Sequence, residues 1–213
     1  MRSVHFQFLA LAGLLFMAAS GSAQILEGFH IFEGVIDAGH GLQVTPQARL
    51  RTTDRFREIS QVRAGLIFAQ TVHPHLDLIA AGYYEPTVKQ PEFLRSYRVQ
   101  LGGQARFKVA EHLELQPRVM WERLNRTTGL AYRRDRMALR LTWRRTGMSP
   151  YVYNETMLTG DGPSGLFHSS RMGGGVGFAA SKRARLEFEY FYDVRRAFWG
   201  GDRQVVTTRI QFR

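Results

Sequence analysis

From Tyr97 to Val109 the chain alternates without a break. Odd positions carry Tyr97, Val99, Leu101, Gly103, Ala105, Phe107 and Val109, and even positions carry Arg98, Gln100, Gly102, Gln104, Arg106 and Lys108. Successive side chains of an extended strand point to opposite faces, so this run has one apolar or small face and one polar face. A helix would need an apolar stripe at i, i+3 and i+4, which is absent. The run also exceeds the ~9–11 residues with which a tilted strand crosses a bilayer, whereas soluble strands usually have about 5–6.

The same rhythm returns along the chain. Val62, Ala64, Leu66 and Phe68 alternate with Arg63, Gly65, Ile67 and Ala69; Met137, Leu139, Leu141 and Trp143 alternate with Ala138, Arg140, Thr142 and Arg144. Leu186, Phe188, Tyr190 and Tyr192 alternate with Glu187, Glu189, Phe191 and Asp193, and Val206 to Phe212 with Thr207 to Arg213. Further strand-like runs cover 42–53, 76–88, 112–124, 149–158 and 169–180. The links at His73-Pro74-His75, Ala110-Glu111, Thr146-Gly147-Met148 and Ser181-Lys182-Arg183 are tight turns, while 125–130, 159–168 and 196–202 have the Gly, Asp, Asn, Pro and Ser of loops. Short turns at one end and long loops at the other describe an outer-membrane barrel. The expectation is all-β: a closed antiparallel transmembrane β-barrel of about ten strands over 42–213. Residues 24–41 are an N-terminal segment or first strand, which would raise the count as far as twelve.

Alternation does not say which face is buried. In a soluble ligand-binding barrel the ionic face would be outside; in a membrane barrel it lines the lumen and the apolar face meets lipid. Under the membrane reading the lumen-lining residues are Arg98, Arg106, Lys108, Arg118, Glu122, Arg140, Arg144, Glu187 and Glu189, joined by Glu114 and Asp193. Tyr83, Tyr84, Tyr97, Trp121, Tyr132, Trp143, Tyr151 and Tyr190 lie near strand ends, where amphipathic rings favour a membrane interface. Pro46 and Pro117 fall inside strands and lack a ladder donor, so bulges, or strand bounds other than these, are expected there.

Residues 1–23 read as a signal peptide: Arg2 precedes an apolar or small run from Phe8 to Ala19, and Ser20-Gly21-Ser22-Ala23 offers a cleavage site before Gln24. Removing these 23 residues leaves 190. The 213-residue chain has no cysteine, which excludes a disulfide framework, a thiolate metal site and a lipoprotein anchor. Its formal charge of +11 suggests an anionic partner, but an exported protein meets no cytoplasmic nucleic acid, leaving lipid and lipopolysaccharide phosphates or anionic solutes.

The C-terminal half carries a family resemblance in Pro150-Tyr151-Val152-Tyr153-Asn154-Glu155, in Ser170-Arg171 leading into Gly173-Gly174-Gly175-Val176-Gly177-Phe178, in Arg185-Leu186-Glu187-Phe188-Glu189-Tyr190, and in the final Val205 to Phe212 strand. These segments resemble bacterial outer-membrane β-barrels, and more narrowly the domain of unknown function 2490 family. The resemblance implies an outer-membrane location and insertion by the barrel assembly machinery, and brings no activity with it. Such barrels usually end in an aromatic residue; here Phe212 is followed by Arg213.

Three candidate sites compete with duller readings. His168 and Ser170 would share one side of a strand, where a His can activate a Ser nucleophile for acyl hydrolysis or deacylation, with Glu155 or Asp161 as orienting carboxylate. His73 and His75 flank Pro74 in a turn, but one pair completes no metal shell. Arg133-Arg134-Asp135-Arg136 and Arg195-Arg196 are basic runs at strand ends, suited to lipopolysaccharide phosphates or to a salt-bridged rim. Gly173-Gly174-Gly175 lacks the Lys and helix of a phosphate loop and is expected to let the strand curve or to make room for bulky lumen neighbours. The leading expectation is an outer-membrane barrel, structural or narrowly pore-forming, with a charged, side-chain-filled lumen and neither enzymatic activity, cofactor nor metal. A lipid-modifying enzyme and a soluble periplasmic ligand-binding barrel are the alternatives.

Overall fold

The computed structural model describes residues 25–53, 55–88, 95–127, 131–144, 147–159, 167–195 and 201–213. The expected signal peptide lies outside them. All regular structure among the described residues is strand: β1 (Ile25–Gly34), β2 (Ile36–Gly39), β3 (Leu42–Thr53), β4 (Glu58–His73), β5 (Leu76–Pro86), β6 (Arg95–Ala105), β7 (Phe107–Ala110), β8 (Leu113–Arg126), β9 (Ala131–Trp143), β10 (Met148–Thr159), β11 (Phe167–Ala179), β12 (Ala184–Arg195) and β13 (Arg203–Phe212). Neighbours pair in chain order, and β1 lies between β13 and β3, which closes the sheet. Closure leaves no open edge of unpaired backbone groups.

β2 continues β1 along β3 and β7 continues β6 along β8, so the ring has eleven staves. Ten of them fall within 42–213, and the N-terminal segment supplies the eleventh. An odd number cannot alternate direction all the way round. The mismatch is taken up at one seam, where β1 runs parallel to β13 from Ile25↔Arg203 to Gly34↔Phe212. That seam departs from the wholly antiparallel expectation.

Both interruptions of the ladder lie beside prolines. Pro46 pairs with Leu66 and Pro117 with Leu139 without any register shift there, contrary to the expected bulges. The break falls instead in the adjoining strand, between β1 and β2 beside Pro46 and between β6 and β7 beside Pro117. A missing N–H leaves its acceptor unmatched while the register runs on. Register shifts occur elsewhere, including between Met157 and Leu158 in β10.

At one end the strands are joined across 40–41, 74–75, 111–112, 144–147 and 180–183; at the other across 54–57, 87–94, 127–130, 160–166 and 196–202. A ring of backbone bonds ties the short-turn end. The carbonyls of Gly41, His75, His112, Gly147 and Arg183 accept from the amides of Thr71, Arg106, Arg144, Ala179 and Arg213.

The two faces sort by chemistry. Leu66, Phe68, Leu78, Val99, Leu101, Val119, Leu139 and Phe188 are exposed on the outside, while Arg63, Gln100, Glu122, Arg134, Glu187, Asp193 and Arg203 are buried within. The fold is therefore inverted relative to a soluble barrel. Apolar residues inside are few: Phe29, Phe191 and Val205, with Tyr153 against them, form one cluster. Of the aromatics expected at strand ends, Tyr84 and Tyr97 pair on the outside with centroids 5.4 Å apart. Tyr83, Tyr132 and Tyr151 instead share the inward phase of their strands, and the first and last are buried. Gly173, Gly175 and Gly177 face inward opposite large neighbours. A Cβ on Gly175 would lie 2.6 Å from the Tyr151 hydroxyl, and one on Gly173 would strike Phe191.

Candidate functional site

Alternation brings charge to the inner wall, and the register decides which charges meet. Arg171 lies between Glu155 on β10 and Asp193 on β12, and Asp193 lies opposite Arg203 on β13. The ion pairs follow: Arg171–Glu155 at 3.1 Å, Arg171–Asp193 at 3.3 Å, and Arg203–Asp193 at 2.8 Å. Glu122 lies between Gln100 on β6 and Arg134 on β9. Both donate hydrogen bonds to it, and Arg98 and Arg136 approach within 3.0 and 3.5 Å. Glu85 takes Arg98 at 2.8 Å, Arg49 at 3.6 Å and Arg63 at 3.7 Å. Glu27 binds Arg51 and Arg203, and Glu187 binds Arg140 and Arg209. Each of these carboxylates is shared by at least two arginines.

Two groups stand apart from this network. Glu189 has no arginine within ion-pair distance among the described residues; its carboxylate accepts from the hydroxyls of Tyr151 at 2.7 Å and Tyr153 at 3.1 Å. The Arg118 side chain has neither a hydrogen bond nor an ion pair to a described residue, and its Nε is buried. Several guanidiniums also lie over ring faces: Arg140 is 3.5 Å from the Tyr151 centroid, Arg63 4.3 Å from Tyr83 and Arg49 4.8 Å from Phe29.

The walls enclose a cavity of about 850 Å³. Thirteen of its lining residues are arginines and four are glutamates. Adding the buried carboxylates Glu27, Glu122, Glu187 and Asp193 behind the wall still leaves five guanidiniums in excess. A second cavity of about 290 Å³ lies toward the short turns. Gln104, Gln116, Arg140 and Arg209 line both, forming the partition between them.

A family model described as "Protein of unknown function (DUF2490)" matches residues 30–203. The chain belongs to this family. No curated protein matches it. Among solved structures, the anion-selective porin from Comamonas acidovorans aligns at 12% identity with a TM-score of 0.41, over 76% of this chain and 48% of that one. The chain thus spans about half the length of that porin.

In this DUF2490 chain the residues expected to line the lumen fall into two groups. Arg98, Arg118, Glu122, Arg140, Glu187 and Glu189 share the inner network or the cavity wall. The other three lie near the short turns: Arg106 pairs with Asp77 at 2.7 Å, Arg144 pairs with Glu114 at 2.6 Å, and Lys108 is exposed opposite Glu114. His168 and Ser170 do not meet as expected. Between the Met157↔Ser169 and Leu158↔Phe167 pairs the register skips His168, which turns into the lumen, where its ring bonds the Ser169 hydroxyl at 3.1 Å and stacks on Tyr132. Ser170 pairs with Thr156 and Val194 in the outward phase. Glu155, the proposed orienting carboxylate, is held by Arg136 and Arg171, and Asp161 lies outside the described residues. His73 and His75 pack against each other, and no group of three metal-ligating side chains exists among the described residues.

The basic run at 133–136 is divided by alternation. Arg134 and Arg136 enter the lumen, whereas Arg133 and Asp135 stay outside. Sequence reading missed Arg49, Arg63, Arg134, Arg136, Glu85 and Glu155 as lumen residues. The parity that marked Arg98 and Arg140 applies equally to them.

Proposed function

We propose that this protein is an outer-membrane β-barrel of structural or narrow-pore type whose arginine-rich lumen attracts and holds small anions, without enzymatic activity. The outward apolar face supports the membrane placement: a contiguous exposed belt of Leu, Val, Phe and Met would be untenable in water and is what acyl chains require. It also disfavours the soluble periplasmic alternative. The observation that carries the anion reading is the excess of guanidiniums over carboxylates in the cavity wall. Inside a narrow low-dielectric lumen that charge demands counter-ions. Ion pairs spanning neighbouring strands, together with the partition at Arg140 and Arg209, keep the passage narrow.

Planar-bilayer recording under a KCl gradient tests this. The expected result is small or absent conductance with a reversal potential on the chloride side. Large steps would overturn the filled lumen, and cation selectivity would overturn the anion reading. If current is absent, the binding of inorganic pyrophosphate, read as a rise in unfolding temperature that Arg63→Gln with Arg118→Gln abolishes, tests anion capture separately.

A further inference from the structure

On the outer wall, at the long-loop end, the register sets Arg123 of β8 directly opposite Arg133 of β9. Both side chains are exposed. Opposed residues of an antiparallel pair have Cβ atoms about 4.5–5.5 Å apart, and like charges there repel. Neither strand needs this arrangement for its inner face, since Glu122, Leu124 and Arg134 perform that role from the alternate positions. Each guanidinium is steadied along its own strand, Arg123 by Asn125 Oδ1 and Arg133 by Asp135 Oδ2, both at 3.4 Å. Asp135 pairs with Arg133, while Arg123 has no carboxylate within ion-pair distance among the described residues.

The depth of the pair indicates its ligand. Arg123 also lies opposite Val99, and Tyr97 lies opposite Asn125. Below the pair, toward the mid-plane, come Trp121, Val119, Met137 and Leu139, the last three exposed. Above it the strands end at Arg126 and Ala131. Two donor-rich forks therefore sit where the apolar belt gives way to the rim, with an exposed Tyr84–Tyr97 pair beside them. A solvated rim would need no such pairing at the edge of an apolar surface. A phosphate monoester anchored at headgroup depth supplies a counter-charge to Arg123 and matches guanidinium geometry.

We infer that Arg123 and Arg133, with Asn125, form a binding site on the outer wall for the phosphate of an anionic lipid in the leaflet facing the long loops. This rests on the membrane reading given above, and the lumen takes no part in it.

The test uses the full chain folded in neutral detergent and then mixed with phosphatidic acid and phosphatidylcholine, bound lipid being counted by native mass spectrometry. The wild type is expected to retain one phosphatidic acid in preference to phosphatidylcholine. Arg123→Gln with Arg133→Gln should lower that occupancy at least tenfold, whereas Arg144→Gln at the opposite end should leave it unchanged. Inorganic phosphate at equal concentration should not displace the lipid. Equal retention by the double variant, or equal retention of phosphatidylcholine by the wild type, overturns the site. Heat-modifiable migration confirms that the variant is folded, and Arg123→Lys, which keeps charge but loses the fork, should fall between. Co-flotation of the wild type with phosphatidylcholine vesicles tests the membrane reading by itself, so failure of that reading is distinguished from failure of the site.

Discussion

Glu122 is a buried and Glu189 a half-buried lumen carboxylate, and their surroundings assign them different energetic roles. Glu122 faces Arg98, Arg134 and Arg136, so Glu122→Gln leaves three guanidiniums crowded without their shared counter-charge. Breaking a buried pair from one side costs about 3–5 kcal/mol, and the urea midpoint should fall accordingly. Glu189→Gln meets two tyrosine hydroxyls, each of which can turn to accept from an amide, so its cost should stay under about 1 kcal/mol, a typical net hydrogen bond. Equal losses in the two variants would show that pairing does not govern the interior. A similar contrast applies to glycines. Gly175→Ala places a methyl against Tyr151 and the Phe188 carbonyl, while a Cβ on Gly82 meets nothing within 4 Å. Overpacking costs about 1–3 kcal/mol, so loss of the heat-modifiable form should occur at lower temperature for the first variant and be unchanged for the second.

At the scale of the strand, the alternation from Tyr97 to Val109 was sufficient to read out both faces, because period two survives interruption of the ladder at Arg106. The orientation of Arg98, Arg118, Glu122 and Arg140 was legible for the same reason. What alternation cannot report is a change of phase. The shift near Met157 and Leu158 sends His168 inward while Ser170 keeps the outward phase set by Arg171, and nothing in Phe167-His168-Ser169-Ser170 marks it. Nor can one strand's sequence show that its proline breaks its neighbour. If the gap between β6 and β7 arises from the missing Pro117 donor, Pro117→Val should restore one ladder bond and raise stability by about 0.5–1.5 kcal/mol. Lowered stability in that variant, measured by urea titration, would place the cause of the gap at Arg106 instead.

For the whole molecule, the decisive feature is the parallel seam, which local sequence patterns do not encode because it follows from the number of staves. β1 is fixed there by its inner side chains: Glu27 reaches Arg51 on β3 and Arg203 on β13, while Glu33 accepts from Gln47 on β3 and Gln211 on β13. One strand thus bridges both neighbours with the same pair of carboxylates, stapling a junction that lacks an antiparallel hairpin. Because β1 runs parallel to β13, Ile25 lies at the long-loop end, whereas Phe212 lies with the short turns. An even-stranded barrel closed by an antiparallel pair would put both at one end. The absence of cysteine from the sequence makes this directly testable with single substitutions. In sided proteoliposomes treated with a membrane-impermeant maleimide, Ile25→Cys should label together with Arg57→Cys and opposite to His112→Cys in the β7–β8 turn. Labelling of Ile25→Cys from the His112 side would require β1 to leave the seam or reverse within it. The ring would then close through a β13–β3 contact or an antiparallel β1, and the salt bridges from Glu27 would have to be redrawn.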